Sequence, residues 1–209
     1  MTDGRLARGE RTRAAVLDAA VSMASVEGLE AMTLARLAEA TSVSKSGLFA
    51  HWPDKEALQL AVVAHAVQLY AHHVVTPALA APRGVRRLWA LHERRLSFYA
   101  DGVLPGGCFF AATQAEFDDR PGLVRDALVA AITDWLAVIS TMAEQAVEAG
   151  ELYAGTDVGQ LTYEIEAHGI AVVTYSRLLR AERAAAYARR AVLDRLRSLS
   201  PVPELLPAE

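Results

Sequence analysis

The sequence predicts an all-α fold of about nine helices, and three observations carry that expectation. Ala, Leu, Arg and Glu recur at three- and four-residue spacing along the whole chain, and all are strong helix formers. No segment shows sustained Val/Ile/Thr alternation between hairpin turns. The chain has 209 residues, 53% apolar and 22% charged, enough to bury a core without staples and too apolar for a disordered chain.

The elements follow in order. A first helix from about Glu10 to Val26 carries the apolar stripe Val16, Leu17, Ala20, Met23 and Ala24, and Gly28 suits the left-handed position that closes it. A second helix starts at Thr33, a capping residue, and reaches about Ala40. A third spans about Ser44 to Ala50. After Pro53, Asp54 caps a long fourth helix that ends before Pro77. Pro82 and Gly84 precede a fifth, Val85 to Ala100. The Gly-rich stretch Asp101 to Gly107 is loop, and a short sixth helix runs from about Cys108 to Glu116. Asp118, Asp119 and Pro121 announce a seventh that ends before Gly150. The eighth runs from about Asp157 to Arg180 and the ninth from about Glu182 to Leu199. Pro201, Pro203 and Pro207 predict an extended tail. The expected division is a head over 1–55, a helical body over 56–200 and a tail over 201–209.

The segment Thr33 to Lys55 reads TLARLAEATSVSKSGLFAHWPDK. Two short helices flank a three- or four-residue turn, and Leu34, Leu37 and Ala38 can meet Val43 and Leu48 across it. That is the helix-turn-helix pattern, whose second helix enters the DNA major groove. Its outer face carries the donors Ser44, Lys45, Ser46 and His51. An ordinary helical hairpin with a polar outer face has the same spacing. The net charge of −4 argues against a generic polyanion binder, so DNA contact must come from a local patch. Arg5, Arg8, Arg11 and Arg13 crowd the residues just before and into the first helix, against Asp3 and Glu10, and Lys45 and Lys55 flank the third.

From Arg13 to Leu58 the chain resembles the N-terminal domain of the tetracycline-repressor (TetR) family of bacterial regulators. The residues that carry the likeness are VLDAAVSMASVEGLEAMT and LARLAEATSVSKSGLFAHWPDKEAL. PGGCFF and EFDDRPGLVRD further resemble a subset of the family's ligand-binding domains. Three positions depart from the family pattern. Ser42 stands where a glycine is usual, Phe49 where many members have Tyr, and Trp52 where Phe is usual.

The resemblance implies a three-helix DNA-binding domain, then a helical domain for ligand binding and dimerisation, and a regulator of double-stranded operator DNA. On this reading Thr33 and the start of the second helix hold a phosphate. Ser44, Lys45 and Ser46 face the groove, with Lys45 or Ser46 at base edges. Gly47 lets the backbone approach. Phe49 keeps the packing of the family tyrosine without its hydroxyl, and His51 and Lys55 anchor far phosphates.

Two faces of the eighth helix are apolar, one with Leu161, Ile165, His168, Val172 and Tyr175, the other with Val158, Thr162, Gly169 and Val173. The ninth presents Ala184, Ala188, Ala191, Val192 and Leu196. Both faces could bury within one chain. The family's four-helix bundle implies instead a homodimer through Val158, Leu161, Thr162, Ile165, Gly169, Val173 and the residues named on the ninth helix. Trp89, His92, Leu96 and Tyr99 share a face of the fifth helix. With Phe109, Phe110, Trp135, Ile139, Met142, His168 and Tyr175 they form either a core of satisfied polar-tipped aromatics or the pocket of a mostly apolar or aromatic effector.

Other classes fit less well. There is no Gly-rich phosphate loop, nucleophile elbow or HExxH, so no enzyme is expected, and Glu164 and Glu166 point to different sides of their helix. No metal or cofactor site is expected either. His65 and His72 lie roughly 10 Å apart on one helix, too far to chelate one ion, and the single cysteine, Cys108, reads as an apolar filler. With no export signal and no apolar run of ~20 residues, the expectation is a cytoplasmic protein that does not engage a membrane.

Overall fold

A computed structural model describes the backbone of residues 3–208 and the side chains of residues 9–208. Among the described residues the chain is helical throughout, with no strand. The helices are α1 (Asp3–Glu27), α2 (Leu34–Thr41), α3 (Lys45–His51), α4 (Lys55–Tyr70), a π-helical turn (Ala71–Val75), α5 (Thr76–Ala78), α6 (Val85–Ala100), α7 (Phe109–Phe117), α8 (Leu123–Glu148), α9 (Val158–Arg177) and α10 (Ala184–Ser198). Counting α4, the π turn and α5 as one rod gives the nine expected helices. The first begins earlier than its apolar stripe suggested, and the side chains of Arg5 and Arg8 lie outside the described residues.

Residues 1–69 and 104–130 form one compact unit, and residues 70–103 and 131–209 another. This grouping differs from a division after residue 55, and the contacts explain why. In the first unit, α4 is tied to α1 and the turn after it. The Gln59 amide donates to the Leu29 carbonyl at 3.2 Å, the Lys55 ammonium to the Glu30 carbonyl at 2.7 Å, and His65 Nε2 meets Asp18 Oδ1 at 2.6 Å. The segment 104–130 joins the same unit through α7, which packs along α1, and through the Gly106 N–H, which donates to Ser25 Oγ at 2.9 Å.

Val16, Leu17, Ala20, Val21 and Ala24 of α1 are buried with Leu37, Leu48, Leu58, Val62 and Phe109, the pattern expected of amphipathic helices sharing one core. Trp52 is buried beside them, with the Arg13 guanidinium 5.5 Å from its ring, and its Nε1 has no hydrogen-bond partner among the described residues.

In the second unit α10 packs against α9 and α6. Small Ala188 lets Leu96 and Val172 close around it. Arg189 pairs with Glu93 at 2.7 Å and Arg195 with Glu164 at 2.7 Å, bracing α10 on both sides. The tail departs from the extended form its prolines suggested: Pro203–Leu205 makes one 3₁₀ turn, and Leu206 is buried. Asp118 also departs from its expected place just before the seventh helix. It closes α7, and its side chain accepts the N–H of Asp119 at 2.8 Å. The rod Lys55–Ala78 is, by length and composition, apolar enough to cross a membrane. Its apolar residues are interrupted by polar ones, so no unbroken run of ~20 apolar residues marks it in the sequence; core helices of globular proteins share these properties.

Candidate nucleic-acid interface and sensor unit

The turn between α2 and α3 is built by two caps and one strained residue. Thr33 Oγ1 accepts the N–H of Arg36 at 3.2 Å, and Ser44 Oγ accepts the N–H of Gly47 at 3.1 Å, each satisfying an amide that the helix start leaves open. Ser42 sits at φ 56°, ψ 21°, in the left-handed region, where the family glycine would carry no Cβ penalty. Leu48 is fully buried, as is Leu37 on α2, so α3 is locked by its inner face and its outer face is free. Ser44, Lys45, Ser46, Phe49 and His51 are exposed.

These residues differ in what they have left to offer. Lys45 makes no hydrogen bond or ion pair among the described residues. Ser44 is engaged by its cap and stands 3.2 Å from the Ser46 hydroxyl, which turns it from a reader into a brace. Gly47 is half-buried. A Cβ there would stand 3.2 Å from Val43 and Ser44 side-chain atoms, so its missing side chain serves the packing of the turn. The His51 ring lies 5.5 Å from that of Trp52. Lys55, expected at a far phosphate, is held by the carbonyl and carboxylate of Glu30 at 2.7 and 2.9 Å. The Lys55 hydrogen bond, helped by Gln59, holds the Glu30 carboxyl below the usual range against a weaker push from burial.

The second unit holds a buried charge network that sequence reasoning missed. Arg95, on α6, is 3% exposed. Its guanidinium grips the Glu166 carboxylate of α9 with two hydrogen bonds, 2.8 and 3.1 Å, and its Nε donates to Tyr99 Oη at 2.7 Å. Trp135 Nε1, on α8, donates to Glu166 Oε2 at 2.6 Å, and the Arg95 cation lies 5.4 Å from the Trp135 ring. Tyr70 meets the Trp135 ring edge-on at 5.1 Å. Burial works against the Arg95 charge, but Tyr99, Tyr70 and Glu166 outweigh it and hold the pKa well above the usual arginine value. A buried pair with its hydrogen bonds satisfied is tolerated; one partner alone is not.

Gly169 on α9 makes the room: a Cβ there would fall inside contact distance of the Arg95 guanidinium. The signal was present in the sequence, since Arg95 stands three residues after His92 and four before Tyr99, and Glu166 three before a mid-helix glycine. Beside the network, His92 is buried, with no hydrogen-bond partner at either ring nitrogen among the described residues. Burial, then the Arg95 charge, pushes its pKa down to about 3, against a weaker opposing pull from the Ala188 backbone.

The expected pocket set does not come together as one chamber. Trp89, His92, Leu96 and Ile139 are buried in packed core, and Tyr99 and Trp135 belong to the Arg95 network. His168 and Tyr175 are exposed, and Phe109 and Phe110 belong to the first unit. Met142 lines a cleft of about 330 Å³ with Leu79, Arg87, Asp134, Val138 and Gln145. A second cleft of about 410 Å³ opens between the π turn and α6.

The expected dimer residues also need correction. Leu161, Thr162, Ile165, Gly169, Ala184, Ala188, Val192 and Leu196 are buried within the single chain, and Val158, Val173 and Ala191 are half-buried. They form the internal packing of α9 and α10, which periodicity alone could not separate from an intermolecular face. The outward stripe of α9 carries Tyr163, Ala167, Thr174 and half-buried Ile170 and continues to Leu178 just past its end, with Tyr163 69% and Leu178 77% exposed; Tyr187 on α10 is exposed too.

Comparison with known proteins adds the following. Residues 16–62 match the domain described as bacterial regulatory proteins, tetR family. Residues 84–192, more than half of the chain, match the domain described as tetracyclin repressor-like, C-terminal domain. A TetR transcriptional regulator from Chloroflexus aurantiacus is similar at 25% identity and TM-score 0.80, covering 88% of this chain and 93% of that one. A TetR-family regulator from Cytophaga hutchinsonii is similar at 22% identity and TM-score 0.79, covering 93% and 97%. AibR, solved in complex with isovaleryl coenzyme A and operator DNA, shares the fold at 18% identity and TM-score 0.69, covering 91% and 98%. No curated protein matches in sequence.

Proposed function

The chain belongs to the tetracycline-repressor family of ligand-responsive, DNA-binding transcriptional regulators, and from that premise we propose that it is a cytoplasmic homodimeric repressor that leaves its operator when a small molecule occupies the second unit. The observation that carries the reading is the presentation of α3: Leu48 fixes its inner face while Lys45 is exposed and unpaired. Lys45 and Ser46 read base edges in the major groove, where lysine can pair with guanine O6 or N7. The start of α2 at Thr33 and the His51 side chain contact phosphates, and Lys55 reaches one only by leaving Glu30. A second copy docks on the outward stripe of α9 with Tyr187, and this sets two reading helices at half-site spacing.

Effector and operator are coupled through their shared preference between two shapes of the dimer. Each therefore lowers the other's affinity by the same factor. AibR, solved in complex with isovaleryl coenzyme A and operator DNA, supports a scheme with both partners. The chain serves this role as a binding protein and catalyses no reaction. A gel shift against the protein's own promoter region tests the proposal. A discrete complex is expected, and Lys45→Ala should weaken it at least about tenfold for the best sequence while reordering sequence preference. A wild-type protein that shifts no fragment, or a Lys45→Ala protein that binds as the wild type does, overturns it.

A further inference from the structure

The rod from Lys55 to Ala78 is α-helical except at Ala71–Val75, where the Thr76 N–H reaches back five residues to the Ala71 carbonyl. Such π turns are rare and are frequently found at functional sites. This one carries His72 and His73, and together with α6 it walls the cleft of about 410 Å³. Arg94, Ser97, Phe98 and Asp101 supply the opposite wall.

Two neighbouring arginines on α6 have opposite fates. Arg95 turns inward and is saturated by Glu166 and Tyr99. Arg94 is exposed, lines the cleft, and makes no hydrogen bond or ion pair among the described residues, which leaves its planar fork of five N–H donors open. His72 and His73 likewise have no hydrogen-bond partner there, though their rings touch each other. Phe98, four residues after Arg94, is buried, and the His73 ring stands 5.9 Å from its own. The floor beside the free guanidinium is thus aromatic. Asp101 follows Phe98 by three residues, on the same face of α6 and roughly 10 Å from Arg94 along the axis. The two charges make no ion pair with each other.

That layout discriminates among ligands. An arginine fork fits a carboxylate with two parallel hydrogen bonds. The aromatic floor fits an apolar or aromatic body. The Asp101 carboxylate at the far end repels a second anionic group, which disfavours polyanions such as nucleotides. We propose that this cleft binds a small organic monocarboxylate, with its anion on Arg94 and its apolar body across Phe98 and the imidazoles of His72 and His73. The inference rests on the effector reading above and names the chemistry of the effector.

The test uses the full-length protein and a panel of benzoate, 3-phenylpropanoate and hexanoate, each beside its primary amide, with inorganic phosphate as a further arm. Calorimetry gives affinity, and the His72 and His73 imidazole NMR signals report the place of binding. At least one carboxylate should bind and shift both imidazoles, at least about tenfold tighter than its amide and than phosphate. Arg94→Gln should lose about tenfold or more, and Arg86→Gln, exposed on α6 outside the cleft, should lose none. Failure of every carboxylate to bind, equal binding by the amides or by phosphate, or wild-type binding by Arg94→Gln each overturns the proposal. The promoter gel shift is run in parallel. An operator complex with no carboxylate binding removes this inference and leaves the regulator reading standing, whereas carboxylate binding without an operator complex does the reverse.

Discussion

The Glu116 carboxylate, on α7, accepts the backbone N–H of Leu29 at 2.7 Å and that of Glu30 at 3.3 Å. Both amides lie just past the end of α1, so one side chain holds the turn that leads into the helix-turn-helix. Gly28 is part of the fit. It sits at φ 85°, and a Cβ there would strike the Glu116 carboxylate.

Removing that acceptor should loosen the turn. Hydrogen bonds to charged groups contribute about 1.5–3 kcal/mol when buried, and these are partly exposed. Glu116→Ala should therefore destabilise by about 1–2 kcal/mol, and Glu116→Gln, which keeps a neutral acceptor, by less. Urea melts give the energies, and faster hydrogen exchange at the Leu29 amide in the alanine variant locates the loss.

The Arg95–Glu166 pair should show strong non-additivity. Glu166→Ala strands a buried guanidinium and the Trp135 N–H, a loss of about 3–5 kcal/mol. The double variant Arg95→Met, Glu166→Leu removes both charges and should recover most of it. A double-mutant cycle by urea unfolding reads the coupling; additive losses would contradict the geometry described.

His92 makes the second unit acid-sensitive in a defined window. Above the ordinary value of 6.5 the imidazole is neutral both folded and unfolded. Between 6.5 and about 3 only the unfolded chain takes the proton. Stability should then fall with falling pH by up to about 1.4 kcal/mol per unit. His92→Leu should flatten the stability profile between pH 6.5 and 4.5 by about one proton, measured from urea midpoints along the pH series.

Ser42 carries a left-handed backbone without being glycine. That conformation costs a residue with a Cβ about 1–2 kcal/mol, partly offset by the greater freedom of glycine in the unfolded chain. Ser42→Gly should stabilise by about 0.5–1 kcal/mol, and Ser42→Ala should not. Thermal melts of the two variants decide it.

The reading head was legible because its signals are local. The cap at Thr33, the turn at Ser42 and the Leu37 and Leu48 positions follow from residues within a few steps of each other, whereas Ser44, a cap in the structure, reads in the sequence only as a groove-facing donor. The pairing of Lys55 with Glu30 was not legible, because Glu30 lies on a turn 25 residues earlier and nothing in the spacing marks that turn as adjacent. Arg95 and Glu166 are 71 residues apart. Periodicity places each on an inward face without saying which helix it meets. The same limit applies to the stripe Leu161, Ile165, Gly169, which fits a neighbour in the same chain as well as one in a second copy and is buried within the single chain. The exposure of Tyr163 and Leu178 appears only when the internal partners are known.

The five-residue backbone bond at Ala71 also bears on how the rod tolerates a change in length. A π turn is what an ordinary helix becomes when one residue is squeezed in and the flanking turns hold their places. Excising a single residue within 71–75 therefore returns this stretch of the rod to regular winding. The same excision anywhere else in the rod would swing every later side chain by about 100°.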